Sequence, residues 1–289
     1  MSTAVMTDEN SGISREKAKE LGIFMMRMPF FINGEVKYQE TDMTVKEFYD
    51  ALDAGAEVST SQPSPGDVMD MWEGILGQGY DDIIYIPMSS GLSESCNSAK
   101  VFAEDYDGRV EIADNHRISV TMEQSVYDAL KYAKQGMNAF EIKNRLEKEA
   151  YDASIYIAVD TLAYLKKGGR VTAAAAAIGT VLNLKPVLTI QGEKLDAYAK
   201  ERGMKKARHV MIKAMQKDFE ERFAELDKQG RMRLCIAYSH VDDETLQSWI
   251  DEVNEAFPGR NLLISPFSLS IGCHIGPGAL AIAACRMEP

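Results

Sequence analysis

The apolar run Ile83-Ile84-Tyr85-Ile86-Pro87 ends abruptly in Met88-Ser89-Ser90-Gly91-Leu92-Ser93, and a helix-like segment follows. No other stretch narrows the possible folds as far. A short run without a polar break reads as a strand buried on both faces, which is how the central strands of a parallel sheet are composed. In an open α/β sheet, ligands sit outside the carboxyl ends of the strands. The strand-to-helix turn there also presents backbone N–H groups that suit an anion. A second hydroxyl cluster, Ser59-Thr60-Ser61-Gln62-Pro63-Ser64, lies upstream, and a glycine-rich segment containing His274 lies near the C-terminus. Together the three clusters point to one site for something negatively charged.

The rest of the chain reads as two parts. In the first, strands alternate with helices: a strand at 3–7, a helix at 15–21, an extended run at 24–32 ending in an Asn33-Gly34 hairpin turn, and helices at 45–54 and 65–76. After the central strand come a helix at 94–105, a strand at 110–113, and helices at 121–134 and 139–151. Such alternation argues for a mostly parallel sheet between two helical layers. From Ser154 the pattern changes. A strand at 154–159, a hairpin of 185–190 with 194–199, and one long helix over 203–229 precede a strand at 233–239 and a helix at 243–256. Three further extended runs follow, at 261–266, 269–273 and 279–284. Residues 1–153 are expected to form a three-layer α/β/α domain, and 154–289 a two-layer α/β domain with a mixed sheet. A length of 289 residues favours two cores over one.

Charge and cysteine usage exclude several classes. A net charge of -12 without a basic stripe argues against sequence-independent nucleic-acid binding and against docking on anionic membranes. No apolar run spans a bilayer, and the N-terminus lacks a basic segment followed by an apolar one. The four cysteines are widely spaced, with no C-x-x-C pair. Reduced thiols in a cytoplasm are expected.

The candidate chemistry is anion binding by uncharged donors. A carboxylate buried between domains needs several hydrogen bonds, and each charge-assisted bond contributes roughly 1.5–3 kcal/mol. Thr60, Ser61, Ser93 and His274 are the expected donors. Taken one at a time, each of these hydroxyls reads first as a helix cap, and capping and anion binding by the same loops are compatible. Gly91-Leu92-Ser93-Glu94-Ser95 lacks the final glycine of a nucleophile elbow, so a serine esterase or acyltransferase using Ser93 and His274 is the weaker alternative. Walker, dinucleotide and zinc patterns are missing, so no cofactor or metal is expected. Asp8 and Asp114 follow strands, where a carboxylate serves a metal or a turn. Two basic concentrations, Lys166 to Arg170 and Lys200 to Arg208, read as solvated helix ends or as handles for phosphate or an acidic partner.

Five motifs occur in order: Thr60-Ser61-Gln62-Pro63-Ser64, Ser89-Ser90-Gly91-Leu92-Ser93, Asp160-Thr161-Leu162 with Tyr164 to Arg170, Leu184-Lys185-Pro186, and His274-Ile275-Gly276-Pro277-Gly278. With them the chain resembles the DegV family, bacterial fatty-acid-binding proteins that include the binding subunit of fatty acid kinase. The resemblance implies a two-domain α/β protein holding a long-chain fatty acid between its domains. Its carboxylate would be held by Thr60, Ser61, Ser93 and His274. Arg170 and Arg202 resemble the arginines linked to the site and to phosphotransfer with an ATP-binding partner. A lipid-sensing regulatory protein is a further alternative. Glu94-Ser95-Cys96-Asn97 departs from the family's usual Gly-Thr-Tyr-Gln, placing an acid beside the expected anion or at a helix cap.

Overall fold

The computed structural model describes residues 2–178 and 184–289. Its first part runs β1 (Thr3–Asp8), α1 (Arg15–Leu21), β2 (Phe24–Met26), β3 (Phe30–Ile32), β4 (Glu35–Lys37), α2 (Val45–Asp53) and β5 (Val58–Thr60). It continues with α3 (Pro65–Leu76), β6 (Asp82–Ile86), α4 (Ser95–Ala103), β7 (Val110–Ile112), α5 (Ser119–Lys134) and α6 (Ala139–Lys148). The second part holds β8 (Ala153–Ala158), α7 (Ala163–Gly168), α8 (Ala173–Ala176), β9 (Leu184–Ile190), β10 (Asp196–Arg202), α9 (Met204–Glu221) and α10 (Ala224–Lys228). It closes with β11 (Met232–Tyr238), α11 (Asp243–Ala256), β12 (Leu263–Pro266), α12 (Leu269–Ile275) and β13 (Leu280–Arg286).

Local chemistry sets many of these boundaries. Ser64 accepts a hydrogen bond from Asp67 N at the start of α3, where Pro65 occupies a position that needs no amide. Thr44 with Glu47, and Asn138 with Glu141, form reciprocal caps at α2 and α6. Asn33 and Gly34 both take positive φ, the geometry that a tight hairpin between β3 and β4 requires.

The protein is α/β with two domains. In the first, β2-β1-β6-β7 form a four-stranded sheet whose neighbours are all parallel. Val5, Ile84 and Ile86 face α5 and α6, while Met6, Ile83 and Tyr85 pack under α3 and α4, giving three layers. In the second, six strands run in the order β10-β9-β8-β13-β11-β12, antiparallel except for β11 with β12. Period-two alternation along β8 sends Tyr156 and Ala158 toward α9 and α11. Ile155 and Ile157 point the other way, toward α7, α12 and the first domain.

Four sequence expectations are corrected. The run 24–32 is not one extended segment. β2 joins the parallel sheet, whereas β3 pairs with β4 and β5 in a separate three-stranded antiparallel sheet that packs on α12. The stretch 269–273 is helical, not extended: Ser268 caps α12 by accepting from Ile271 N at 3.2 Å. A short apolar run cannot declare its own period, and packing against β5 and α7 decides it. The helix expected over 203–229 breaks at Arg222 and Phe223. Phe223 turns into the core, and the Arg222 guanidinium donates to Ser154 Oγ at 2.5 Å, away from the helix axis. The helix expected over 139–151 ends at Lys148, before the strand β8 begins.

Among the described residues, no helix is long and apolar enough to cross a membrane. No group of three or more His, Cys, Asp or Glu residues among them could hold a metal ion.

Candidate functional site

Where β8 faces the first domain, the two domains enclose a cavity of about 180 Å³. Ile155 and Ile157 of β8, Ile190 at the end of β9, Leu165 of α7, Phe267 and Ile271 form much of its apolar wall. Ala237 of β11 also lines it, and the small side chain leaves space open on that face of the sheet. Met28, Met88, Leu92, Ile118 and Val120 line it from the first domain.

The polar part of the lining is a connected cluster. Thr60, the last residue of β5, shares a 2.8 Å hydrogen bond between its Oγ1 and His274 Nε2 on the last turn of α12. The α12 helix therefore carries this histidine to the threonine from the other end of the chain. Burial, reinforced by the nearby Arg170 charge, pushes His274 down to about 4, so the ring is neutral at pH 7. Among the described residues its Nδ1 has no hydrogen-bond partner. That nitrogen abuts Gly168 at the end of α7, where a Cβ would overlap the imidazole. Arg170 Nε donates to Leu92 O at 3.2 Å, and its Nη1 donates to Gly168 O. The guanidinium thus ties the α7 turn to the loop before α4.

Ser64 caps α3, whereas Ser61 and Ser93 line the cavity and bond within their own loops, and Ser93 does not cap α4. Ser93 Oγ accepts from Ser95 N at 3.2 Å and donates to Ser95 Oγ at 3.0 Å. Ser61 Oγ donates to Gln62 O at 3.1 Å. Gln62 Oε1 in turn accepts from Ser98 Oγ of α4 at 2.9 Å, joining the two loops. Five of the six expected site residues, Thr60, Ser61, Ser93, Arg170 and His274, line the same cavity. Arg202 does not: it ends β10 opposite Leu184, exposed and outside the cavity lining.

Asp8 caps the turn after β1, whereas Asp114 reaches the loop after β6, accepting from Ser90 N at 3.2 Å. Asp8 accepts from Asn10 N at 2.8 Å and Met88 N at 2.9 Å, and burial nevertheless raises it to about 6. Asp114 pairs with Lys100 at 2.8 Å.

Several lining residues escaped the sequence reading. Asn10 follows β1 at its carboxyl end, the position that drew attention to the Ser89 loop, so the same rule would have found it. It accepts from Ser268 Oγ at 2.9 Å across the domains. Gly168, outside the cavity lining but within the Tyr164 to Arg170 motif, gave no sign of its steric role, which depends on a residue remote in sequence.

A family model described as an uncharacterised protein of the DegV family matches residues 2–287. The chain belongs to the DegV family. Among curated DegV relatives, Protein DegV of Bacillus subtilis is 30% identical over 290 residues, covering 99% of each chain. A DegV domain-containing protein of Deinococcus radiodurans is 30% identical over 208 residues, covering 72% of this chain and 74% of the relative. Solved DegV structures agree in fold. A fatty-acid-binding DegV protein from Thermus thermophilus is 28% identical with a TM-score of 0.87, covering 99% of this chain and all of the other. DegV of Bacillus subtilis, described as a fatty acid binding protein, is 28% identical with a TM-score of 0.82 and 99% coverage of both chains.

Proposed function

We propose that the chain binds a long-chain fatty acid in the cavity between its domains, divided as 1–153 and 154–289. It acts as a cytoplasmic carrier that presents the carboxylate to a separate ATP-binding kinase subunit. The observation that carries this reading is an apolar cavity bordered by uncharged donors and a single arginine. The tail supplies affinity, at about 0.8 kcal/mol per buried methylene. Thr60, Ser61, Ser93 and His274 hold the head group. With its proton on Nε2, His274 donates to Thr60 Oγ1, which frees the threonine proton for the carboxylate. Ser93 and Ser61 can each redirect a proton now donated to a neighbour. Arg170 contributes the balancing charge, and Arg202 lies on the surface as a contact for phosphate or the partner. No cofactor other than the bound lipid is required.

The geometry speaks against a Ser93–His274 hydrolase. His274 Nε2 bonds Thr60, Ser93 bonds Ser95, and no third group orients Nδ1 as a base would need. Lipid extracted from purified protein and identified by mass spectrometry should contain a fatty acid. Its reproducible absence, together with no binding in titration, defeats the reading. Ser93→Ala and His274→Ala should each weaken binding of the acid roughly ten- to hundredfold, and of the matching alcohol much less. Acyl-phosphate formation from ATP with a candidate kinase subunit tests presentation, and its failure despite binding leaves a lipid sensor as the better account.

A further inference from the structure

Glu94 stands at the amino end of α4, beside Ser93, and lines the same cavity with its side chain exposed. Short polar side chains at that position commonly cap the helix by accepting from its backbone amides. Glu94 makes no side-chain cap, and Ser93 Oγ accepts from Ser95 N next to it. Its one hydrogen bond comes from Asn97 Nδ2, at 3.0 Å on Oε2. No ion pair among the described residues includes Glu94, so its charge is not cancelled locally. Among the described residues that line the cavity, Glu94 is the one acidic side chain and Arg170 the one basic side chain besides the neutral His274.

We infer that Glu94 is a charge filter on the head group, admitting a monoanion and disfavouring a dianion at the same place. This rests on the fatty-acid reading above. Coulomb repulsion scales with the charge of the ligand, so a fixed carboxylate opposes a dianion with twice the free energy it applies to a monoanion. A factor in affinity for the first is therefore squared for the second. The consequence lies in turnover. When a carboxylate oxygen takes the terminal phosphoryl group of ATP and ADP departs, the head group gains negative charge. Glu94 then favours release of the phosphorylated product over its retention. The ligand class so defined is a long-chain monocarboxylate as cargo and a long-chain acyl phosphate as the species repelled.

The test uses the full chain, stripped of lipid, with hexadecanoate, hexadecyl phosphate at pH 8 as a stable dianion, and hexadecanol. Glu94→Gln keeps an acceptor for Asn97 and removes the charge. It should tighten hexadecanoate roughly 3-fold and hexadecyl phosphate roughly 10-fold at low salt, and leave hexadecanol unchanged. Both gains should shrink at high salt, and Glu94→Asp should retain the wild-type ratio. Equal factors for all three ligands, or no change for any, overturn the assignment. Wild-type protein that binds none of them overturns the fatty-acid reading as well, whereas normal hexadecanoate binding with an inert Glu94→Gln removes the filter alone.

Discussion

The contact between Thr60 and His274 joins residues 214 positions apart, and its geometry depends on a residue that bears no functional group. Gly168 gives the imidazole its seat, because any side chain there would occupy the volume of Nδ1 and its neighbouring carbon. Overpacking of this kind costs about 1–3 kcal/mol where the neighbour cannot yield. His274 is half-buried and already bonded to Thr60, so a shift of the ring would break that contact. Gly168→Ala should lower the denaturant midpoint and weaken fatty-acid binding at least tenfold, because the ring that moves is also a proposed donor. Unfolding curves and a lipid titration on the same preparation check both halves. Wild-type values in both would show that the ring relocates freely.

At the scale of elements, α12 is the piece on which the site turns. It is a short helix, and its stability comes from its cap and its packing rather than from its length. Ser268 serves two roles at once: it caps α12 through Ile271 N and donates to Asn10 Oδ1 in the other domain, at 2.9 Å. Gln39 Oε1 accepts from Leu269 N at 2.7 Å, so the helix start is also held by the loop after β4. Ser268→Ala removes the cap and one bond across the domains, and should destabilise the protein by about 1–2 kcal/mol. The effect should concentrate in hydrogen exchange, with faster exchange in α12 and the turn after β1 than in β8 or β13. Uniform acceleration across the whole chain would argue that the bond is not a local tie. Gly272 within α12 reports the same tight fit, since a Cβ would lie 3.0–3.1 Å from Tyr49 and Phe48.

For the molecule as a whole, the buried carboxylates near the domain interface set a pH dependence. Burial raises Asp8 from 3.8 to about 6 and Glu9 from 4.5 to about 7. The folded protein therefore holds protons that the unfolded chain has already released between these values. The stability they contribute is complete below the unfolded values and is lost as pH rises through about 6 and 7. Glu9 Oε2 accepts from Met28 N at 2.9 Å, while Oε1 is buried without a partner. Glu9→Gln keeps an oxygen for Met28 and abolishes the buried charge. It should raise Tm at pH 8, by an amount on the order of 1–3 kcal/mol in stability, and change little at pH 5. Melting curves of both proteins at the two pH values decide it. Equal shifts at both would mean that the charge is not the cause.

Much of this protein could be read before any coordinates, because local signals act over a few residues. Apolar composition marked β1 and β6, Pro65 marked the first turn of α3, and Ser64 caps that start by accepting from an amide that has no carbonyl partner within the helix. The ordered motifs named Thr60, Ser93, Arg170 and His274, since donors of these types serve an anion wherever they meet. What required the tertiary structure were the choices that local chemistry leaves balanced. The 269–273 stretch is equally apolar as strand or helix, and contact with β5 and α7 made it a helix. Glu94 stands at the N-cap position of α4 but makes no cap, and its carboxylate is left beside the cavity. Gly168 acquires its role only from an imidazole supplied by the far end of the chain. Close packing is a property of pairs brought together by folding, and no single segment carries it.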